Sequence, residues 1–390
     1  MSFKGAFIRD FYSPRVTMLG AGPMSLRSTD AIVELANYYK RPIAMIPSRR
    51  QVDAGHLGGG YVNNWSTEQF STYVRSKDSG GYVLLSRDHS GPWQLSKNRN
   101  NQPLSHREAM DEVKESLKVD IESGFDLIHI DPSPGLEMGR SSSGVEDDIL
   151  ELLEFCQSIE KRPIDYEIGA DEQSQVPDHV LDAEEALQRV LKRVHEVGLR
   201  PPIFYVLQTG TKVMETRNIG SFDSPLPVQG MLPSTVQLPE ILKMCRRNGV
   251  FLKEHNADYL GDEALAWHRR MGIHAANVAP EFGVAETKEI LEIAREVKAD
   301  SFLELFGKTV IENKKWEKWL VKDSTASEED KIVIAGHYHF SDPALSHEFA
   351  NLESTAEKHS IRFDERVRDA VSRSIDRYLT SFGYRTAVRQ

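Results

Sequence analysis

YVLLSRDHSGPW, residues 82 to 93, is the stretch from which the fold can be read. Tyr82 to Leu85 are four apolar residues in a row, the pattern of a buried strand, and Gly91-Pro92 is a turn signal. Between them stand Asp88 and His89. An acid beside an imidazole at the end of a strand is what a barrel enzyme presents over its active site. Taken alone, the pair reads as a turn-forming aspartate and an exposed loop histidine. The catalytic reading gains weight because the same order, apolar strand then polar residue, recurs along the chain.

Working outward, Val16–Leu19 and Ile43–Pro47 read as strands one and two, with Tyr82–Leu85 the third. Leu127–Ile130, stopping at Asp131, is the fourth, and Ile164–Ile168, containing Glu167, the fifth. The very apolar Ile203–Leu207 ends at Gln208, Val250–Leu252 runs into Glu254 and His255, and Ile273–Ala279 carries Asn277. Helical periodicity separates these segments, as in Ala109–Ser123, Asp147–Glu160 and Ala183–Val197. Glycines tend to follow the helices and prolines to precede the strands. Strand-helix alternation implies a parallel sheet, and eight units over residues 1–298 imply an α/β fold of the closed (β/α)8 TIM-barrel kind. Residues 299–390 are charged, carry Trp316 and Trp319, and read as a mainly helical C-terminal extension. The polar excursion Thr209–Pro233 is long enough to be a lid or a subunit contact.

Bulk properties narrow the partners. The 390 residues are 39% hydrophobic and 27% charged, with 59 acids against 48 bases and a formal charge of -11. With no basic stripe, neither nucleic acid nor an anionic membrane is an expected partner. Cys156 and Cys245 sit in amphipathic helical segments as core fillers, which suits a reducing compartment. No apolar run is long enough to span a bilayer, and the N-terminus lacks the apolar core of a signal peptide, so a cytoplasmic location is expected.

In a barrel, the loops after the strands share one face, and catalytic groups collect there. By sequence that face would gather Asp88, His89, Asp131, Glu167, Gln208, Glu254, His255 and Asn277. Two imidazoles with several carboxylates predict a divalent metal site, and the histidines favour zinc. Each has a plainer alternative: Asp131 as a turn residue before Pro132, Glu167 in a salt bridge, His255 as a satisfied core histidine. The run Gly58-Gly59-Gly60 would let backbone N–H groups approach a ligand, or would simply make a flexible loop. His337 and His339 in IVIAGHYHFSD could meet one ion only if they lay on a strand.

Several pieces together resemble the class II tagatose-bisphosphate aldolase family, and specifically its accessory, non-catalytic subunit. They are QVDAGHLGGGYVNNWSTEQF, LLSRDHSGPWQ, AMDEVKESLKVDIESGFDLIHIDPS, DYEIGADE, FLKEHNADYL and HAANVAPEFG, in family-like order across most of residues 16–297. The resemblance implies a metal-dependent barrel whose catalytic relatives cleave ketose bisphosphates. It implies Asp88 as general acid/base, His89 and His255 as ligands, and Asn277 near the enediolate. The expected ligand is a sugar or sugar phosphate, and a separate catalytic aldolase subunit is a possible partner. A homo-oligomer is also expected.

This chain departs from the family at several points. Catalytic aldolases place a third histidine after strand six, where this chain reads LQTGTK, so Gln208, Glu167, Asp131 or water would be the third ligand. Small phosphate-binding residues follow the strand-seven histidine in that family. Here Asp258 stands in that segment and would repel a phosphate, and Pro280-Glu281 follow NVA in place of a threonine. Phosphate would then be met by other residues, such as Lys212 or Arg217. Three readings follow: an aldolase or its accessory subunit, a metal-dependent ketose or keto-sugar-acid epimerase, and a structural partner with a vestigial site.

Overall fold

The fold, taken from a computed structural model, is described over residues 3–95, 104–169, 180–207, 209–222 and 234–385. Eight strands close into a barrel: β1 (Met18–Ala21), β2 (Ile43–Met45), β3 (Val83–Ser90), β4 (Leu127–Ile130), β5 (Asp165–Gly169), β6 (Phe204–Val206), β7 (Phe251–Glu254) and β8 (Ala275–Val278). Each pairs in parallel with its neighbours in chain order, and β8 pairs back onto β1 with Met18 opposite Ala275. The eight-fold alternation expected from sequence is therefore the observed architecture. Gln208 and residues 223–233 of the polar excursion lie outside the described residues, and its described part holds a small hairpin, Val213–Met214 with Arg217–Asn218.

One long helix follows each strand: α1 (Leu26–Tyr39), α2 (Thr67–Lys77), α3 (His106–Glu122), α4 (Ser142–Ile159), α5 (Val180–Glu196), α6 (Ser234–Arg247), α7 (Asp262–Met271) and α8 (Pro280–Glu296), with a further single turn, Pro134–Glu137, between β4 and α4. Serine starts several of them. Ser25, Ser66 and Ser105 each accept a hydrogen bond from the N–H three residues on, and the side chain at that position reaches back, which satisfies N–H groups a helix leaves unpaired. The barrel floor is plugged from the N-terminus: Phe7 packs edge-on against Phe204, ring centroids 5.0 Å apart, and 4.8 Å from Phe251.

The extension adds α9 (Asp300–Asn313), α10 (Glu328–Ala335), α11 (Ser346–Lys358) and α12 (Phe363–Phe382). Val371, Ile375, Tyr378, Leu379 and Phe382 belong to the same apolar cluster as strands β1, β2 and β8. Beyond α12, Tyr384 accepts the Leu19 N–H and donates to the Pro42 carbonyl, which ties the chain's end to the start of two strands. A cut between residues 298 and 299 would thus separate segments that share one core.

The strand that ends in Asp88 is anchored by Arg87. Its side chain points outward from β3, fully buried, and donates to both oxygens of Asp120 on α3 at 2.7 and 2.5 Å. The remaining guanidinium hydrogens go to the Pro47 and Val52 carbonyls and to Thr67 Oγ1. One cation therefore joins β3, the loop after β2, α2 and α3. Arg87→Leu leaves Asp120 buried without its partner and should cost about 3–5 kcal/mol. A urea midpoint within error of the parent would show that this junction carries no such load.

Candidate functional site

β3 does not end as a regular strand. Its pairing with β4 slips between Arg87 and Ser90, and His89 takes a left-handed backbone with φ of +46°. In a regular strand, side chains alternate, so Arg87 outward and Asp88 inward would send His89 outward again. The irregularity turns His89 into the mouth beside Asp88, a use of bulges that recurs next to active sites.

There His89 meets His255, after β7, and His129, the third residue of β4. The ring centroids are 4.9 Å apart for His89 and His255, 5.2 Å for His129 and His255, and 5.3 Å for His89 and His129. All three face the Asp88 carboxylate: His89 Nε2 at 3.5 Å, His129 Nδ1 at 3.9 Å and His255 Nε2 at 3.8 Å. One ligand atom from each of the four residues can be chosen so that all lie within 4.8 Å of one another. Asn277 Nδ2 donates to Asp88 from β8 at 3.2 Å, and Gly20 lies so close to Asn277 that a Cβ there would sit 2.1 Å from its Oδ1.

The hydrogen bonds behind two of these rings fix which nitrogen carries the proton of the neutral imidazole. His89 Nδ1 is 2.7 Å from Asp131 Oδ2, and His129 Nε2 is 3.2 Å from the Gly169 carbonyl. Both acceptors require N–H, so in the neutral imidazoles the lone pairs left over, Nε2 of His89 and Nδ1 of His129, are turned toward a carboxylate. Lone pairs aimed at an anion need a cation between them. Either the rings are protonated or a metal ion is held, and the carboxylate and carbonyl behind them are the customary outer partners of metal-bound histidines. Burial pushes Asp88 upward, but positive charge on the surrounding imidazoles outweighs it and holds the group ionised, well below the usual carboxylate range. Asp131 is likewise held down against burial by its bond to His89.

The expected site residues thus divide. Asp88, His89, His255 and Asn277 come together. Asp131 stands behind His89, pinned by Ser133 Oγ at 2.5 Å and Gln94 Nε2 at 3.0 Å, and orients the ring from there. Glu167 is fully buried against Lys253 at 2.8 Å, a contact that crosses the barrel interior since β5 and β7 are not adjacent. The salt-bridged alternative is the one found, and it keeps Glu167 off the cleft wall. Glu254 points outward and bonds His268 of α7. Gly58 and Gly59 take a left-handed backbone with φ of +108° and +68°, and Gly60 packs against the chain, for a Cβ there would lie 2.1 Å from the Gln51 carbonyl oxygen. Lys212 holds the hairpin through its N–H to Asn218, and Arg217 pairs with Glu215; neither lines the cleft. His337 and His339 lie on a 3-10 turn, not a strand, and His339 is 3.5 Å from Asp342. His129 was missed in the sequence. Its signal was position: it stands two residues before Asp131, on the same face of an otherwise apolar strand.

Asp258 occupies the N-terminus of α8. Its Oδ1 accepts the N–H groups of Ala279 at 3.0 Å and Glu281 at 2.8 Å, so the chain's own carboxylate fills a position suited to an anion. Burial and the neighbouring Glu281 push its pKa up to about 8. The mouth above all these groups is a cleft of about 470 Å³, walled on one side by the extension through Lys318, Trp319, His337 and Tyr338.

No family model and no curated protein matches this chain. Solved structures do share its fold. A probable tagatose 6 phosphate kinase from Sinorhizobium meliloti 1021 superimposes with a TM-score of 0.71 at 16% identity, covering 94% of this chain and 100% of that one. Fructose-bisphosphate aldolase from Campylobacter jejuni gives 0.57 at 10% identity over 98% and 95%. The YdjI aldolase from Escherichia coli K12 gives 0.54 at 12% over 99% and 98%. At these identities the likeness establishes the barrel and its extension.

The raised pKa of Asp258 has a definite sign in stability. Near pH 4 and below, folded and unfolded chains both hold the proton; between about 4 and 8 only the folded chain keeps it, so stability falls as pH rises through that window. Asp258→Asn retains the acceptor for both N–H groups and removes the titration. Its melting temperature should exceed the parent's by a margin that widens from pH 5 to pH 8. Parallel curves for the two proteins would contradict the assignment.

Proposed function

We propose that the protein carries out divalent-metal-dependent enediolate chemistry on a ketose or a ketose derivative. The observation that carries this reading is the convergence of His89, His129 and His255 on Asp88, with the tautomers of His89 and His129 set by Asp131 and Gly169. Three neutral imidazoles form a donor set that suits zinc. They would hold the ion, which when bound polarises a ketose carbonyl and stabilises the enediolate.

The chain's own residues do the rest. Asp88 lies beside the ligand nitrogens with one oxygen tied to Asn277, so it is placed to take a proton from a substrate hydroxyl or carbon and return it. Asn277 keeps that carboxylate oriented. Asp131 and Ser133 lock His89. With Glu167 neutralised by Lys253 and Asp131 bonded behind His89, Asp88 is the carboxylate that faces the ligand nitrogens.

The aldolase names of two structural neighbours support carbon–carbon cleavage as one outcome. The position of Asp258 favours the second, epimerisation, because α8 has no free N-terminal N–H pair at Ala279 and Glu281 for a phosphate there. An accessory role beside a catalytic aldolase chain is the third reading, and the complete histidine triad weighs against a vestigial site.

Two experiments test the reading. Purified protein stripped and reloaded should bind one zinc per chain by elemental analysis. His129→Ala should hold it far more weakly, taking it up only at excess zinc, and Asp131→Asn should weaken it by roughly 10–100-fold, the usual effect of removing an outer partner. A chain that takes up no divalent ion would remove the mechanism. Zinc-loaded protein incubated with ketoses in deuterated water separates the chemistries: solvent label without triose marks an epimerase, triose an aldolase. Asp88→Asn should abolish either product. Bound zinc with neither product, and co-purification with a second aldolase chain, would select the accessory role.

A further inference from the structure

The cleft wall supplied by the extension is chemically unlike the histidine side. Lys318 and Arg50 both line it, and among the described residues neither has a carboxylate within ion-pairing distance; Arg50 has only the Gln94 carbonyl at 3.3 Å. The nearby Arg49 is different, since Asp53 and Glu112 match its charge at 3.0 and 3.1 Å. Among the described residues, Glu137, exposed on the rim, is the one carboxylate outside the histidine and Asp258 groups that lines the cleft. Lys318 is reached by solvent but surrounded by the cleft, with its ammonium 4.7 Å from the Trp319 ring and 5.3 Å from that of Tyr338. Enclosure by the cleft walls, and secondarily Arg50, lowers its pKa to about 8 although the side chain is exposed. Next to them His337 is 1% exposed and has no hydrogen-bond partner at either ring nitrogen. Burial holds this ring neutral, and a neutral imidazole can meet a hydroxyl as donor or acceptor.

We propose that Lys318 and Arg50 form an anion subsite for the end of an acyclic sugar remote from the histidine cluster, with His337 meeting a hydroxyl in between. The inference rests on the ketose reading and names the substrate class within it: a ketose with a charged terminus, either a phosphate or a carboxylate. It also gives the extension a function, since three of the groups on this wall, Lys318, His337 and Tyr338, come from it. Asp258 closes one possible anion position at α8, and this subsite supplies another from a different part of the chain.

The test is calorimetric titration of full-length protein, once treated with chelator and once loaded with zinc. The probes are inorganic phosphate, fructose 6-phosphate, fructuronate and fructose. The variants are Lys318→Met, Arg50→Met and, as a control, Lys315→Met, whose ammonium also lies 5.3 Å from the Tyr338 ring but does not line the cleft. The charged probes should bind more tightly than fructose. Lys318→Met and Arg50→Met should each weaken them about tenfold or more, as expected for a lost charge-assisted hydrogen bond, while Lys315→Met leaves them unchanged. The order of fructose 6-phosphate and fructuronate distinguishes phosphate from carboxylate. Fructose binding as tightly as the anions, or all three variants behaving alike, would overturn the proposal. Anion binding that persists in protein unable to bind zinc would sink the metal mechanism and leave the subsite standing. Zinc binding with no anion preference would do the reverse.

Discussion

Three imidazole nitrogens surround one carboxylate at the mouth of the barrel, and the hydrogen bonds behind two of the rings leave their lone pairs facing it. Without positive charge among them that arrangement is repulsive. Much of the neighbouring structure is organised to maintain it: the slipped end of β3, the Ser133 and Gln94 bonds that pin Asp131, and the close approach of Gly20 that admits Asn277. Further back, Arg87 fixes β3 to two helices and a loop through a fully buried ion pair, so the strand end that carries both Asp88 and His89 has little freedom to relax.

The barrel interior explains why some polar groups take part and others do not. Lys253, on β7, and His255, just past its end, lie two apart, but Lys253 sits deeper in the barrel and is consumed by Glu167. A buried pair of that kind neutralises the charge of both members, and Glu167 does not line the cleft. Charge that reaches the cleft is divided: Asp88 and its histidines on the strand ends, unmatched cations at Arg50 after β2 and Lys318 on the extension. A substrate with a carbonyl at one end and an anion at the other would meet both.

The fold was legible because strand and helix periods alternate cleanly and serine and glycine punctuate them. Strand limits were less so. β3 reads in sequence as ending at Leu85, yet it runs to Ser90, because polar residues at a barrel's rim continue the ladder after the apolar pattern stops. Asp88, His89 and His255 stood out because each comes after an apolar run. His129 did not, since it lies within such a run, where an imidazole reads as one more core residue. The matching of Glu167 to Lys253 required knowing that two non-adjacent strands face each other across the interior. The placement of Lys318 and His337 on the cleft was out of reach, for nothing in a helical, charged C-terminal stretch says that it folds back over the mouth.

The most direct test of the central claim is X-ray absorption at the zinc edge of the reconstituted protein. Three imidazole nitrogens at about 2.0–2.1 Å, reduced to two in His129→Ala, is the predicted first shell. A shell of oxygens alone, or one unaltered by loss of His129, would mean that the three rings meet for some other reason.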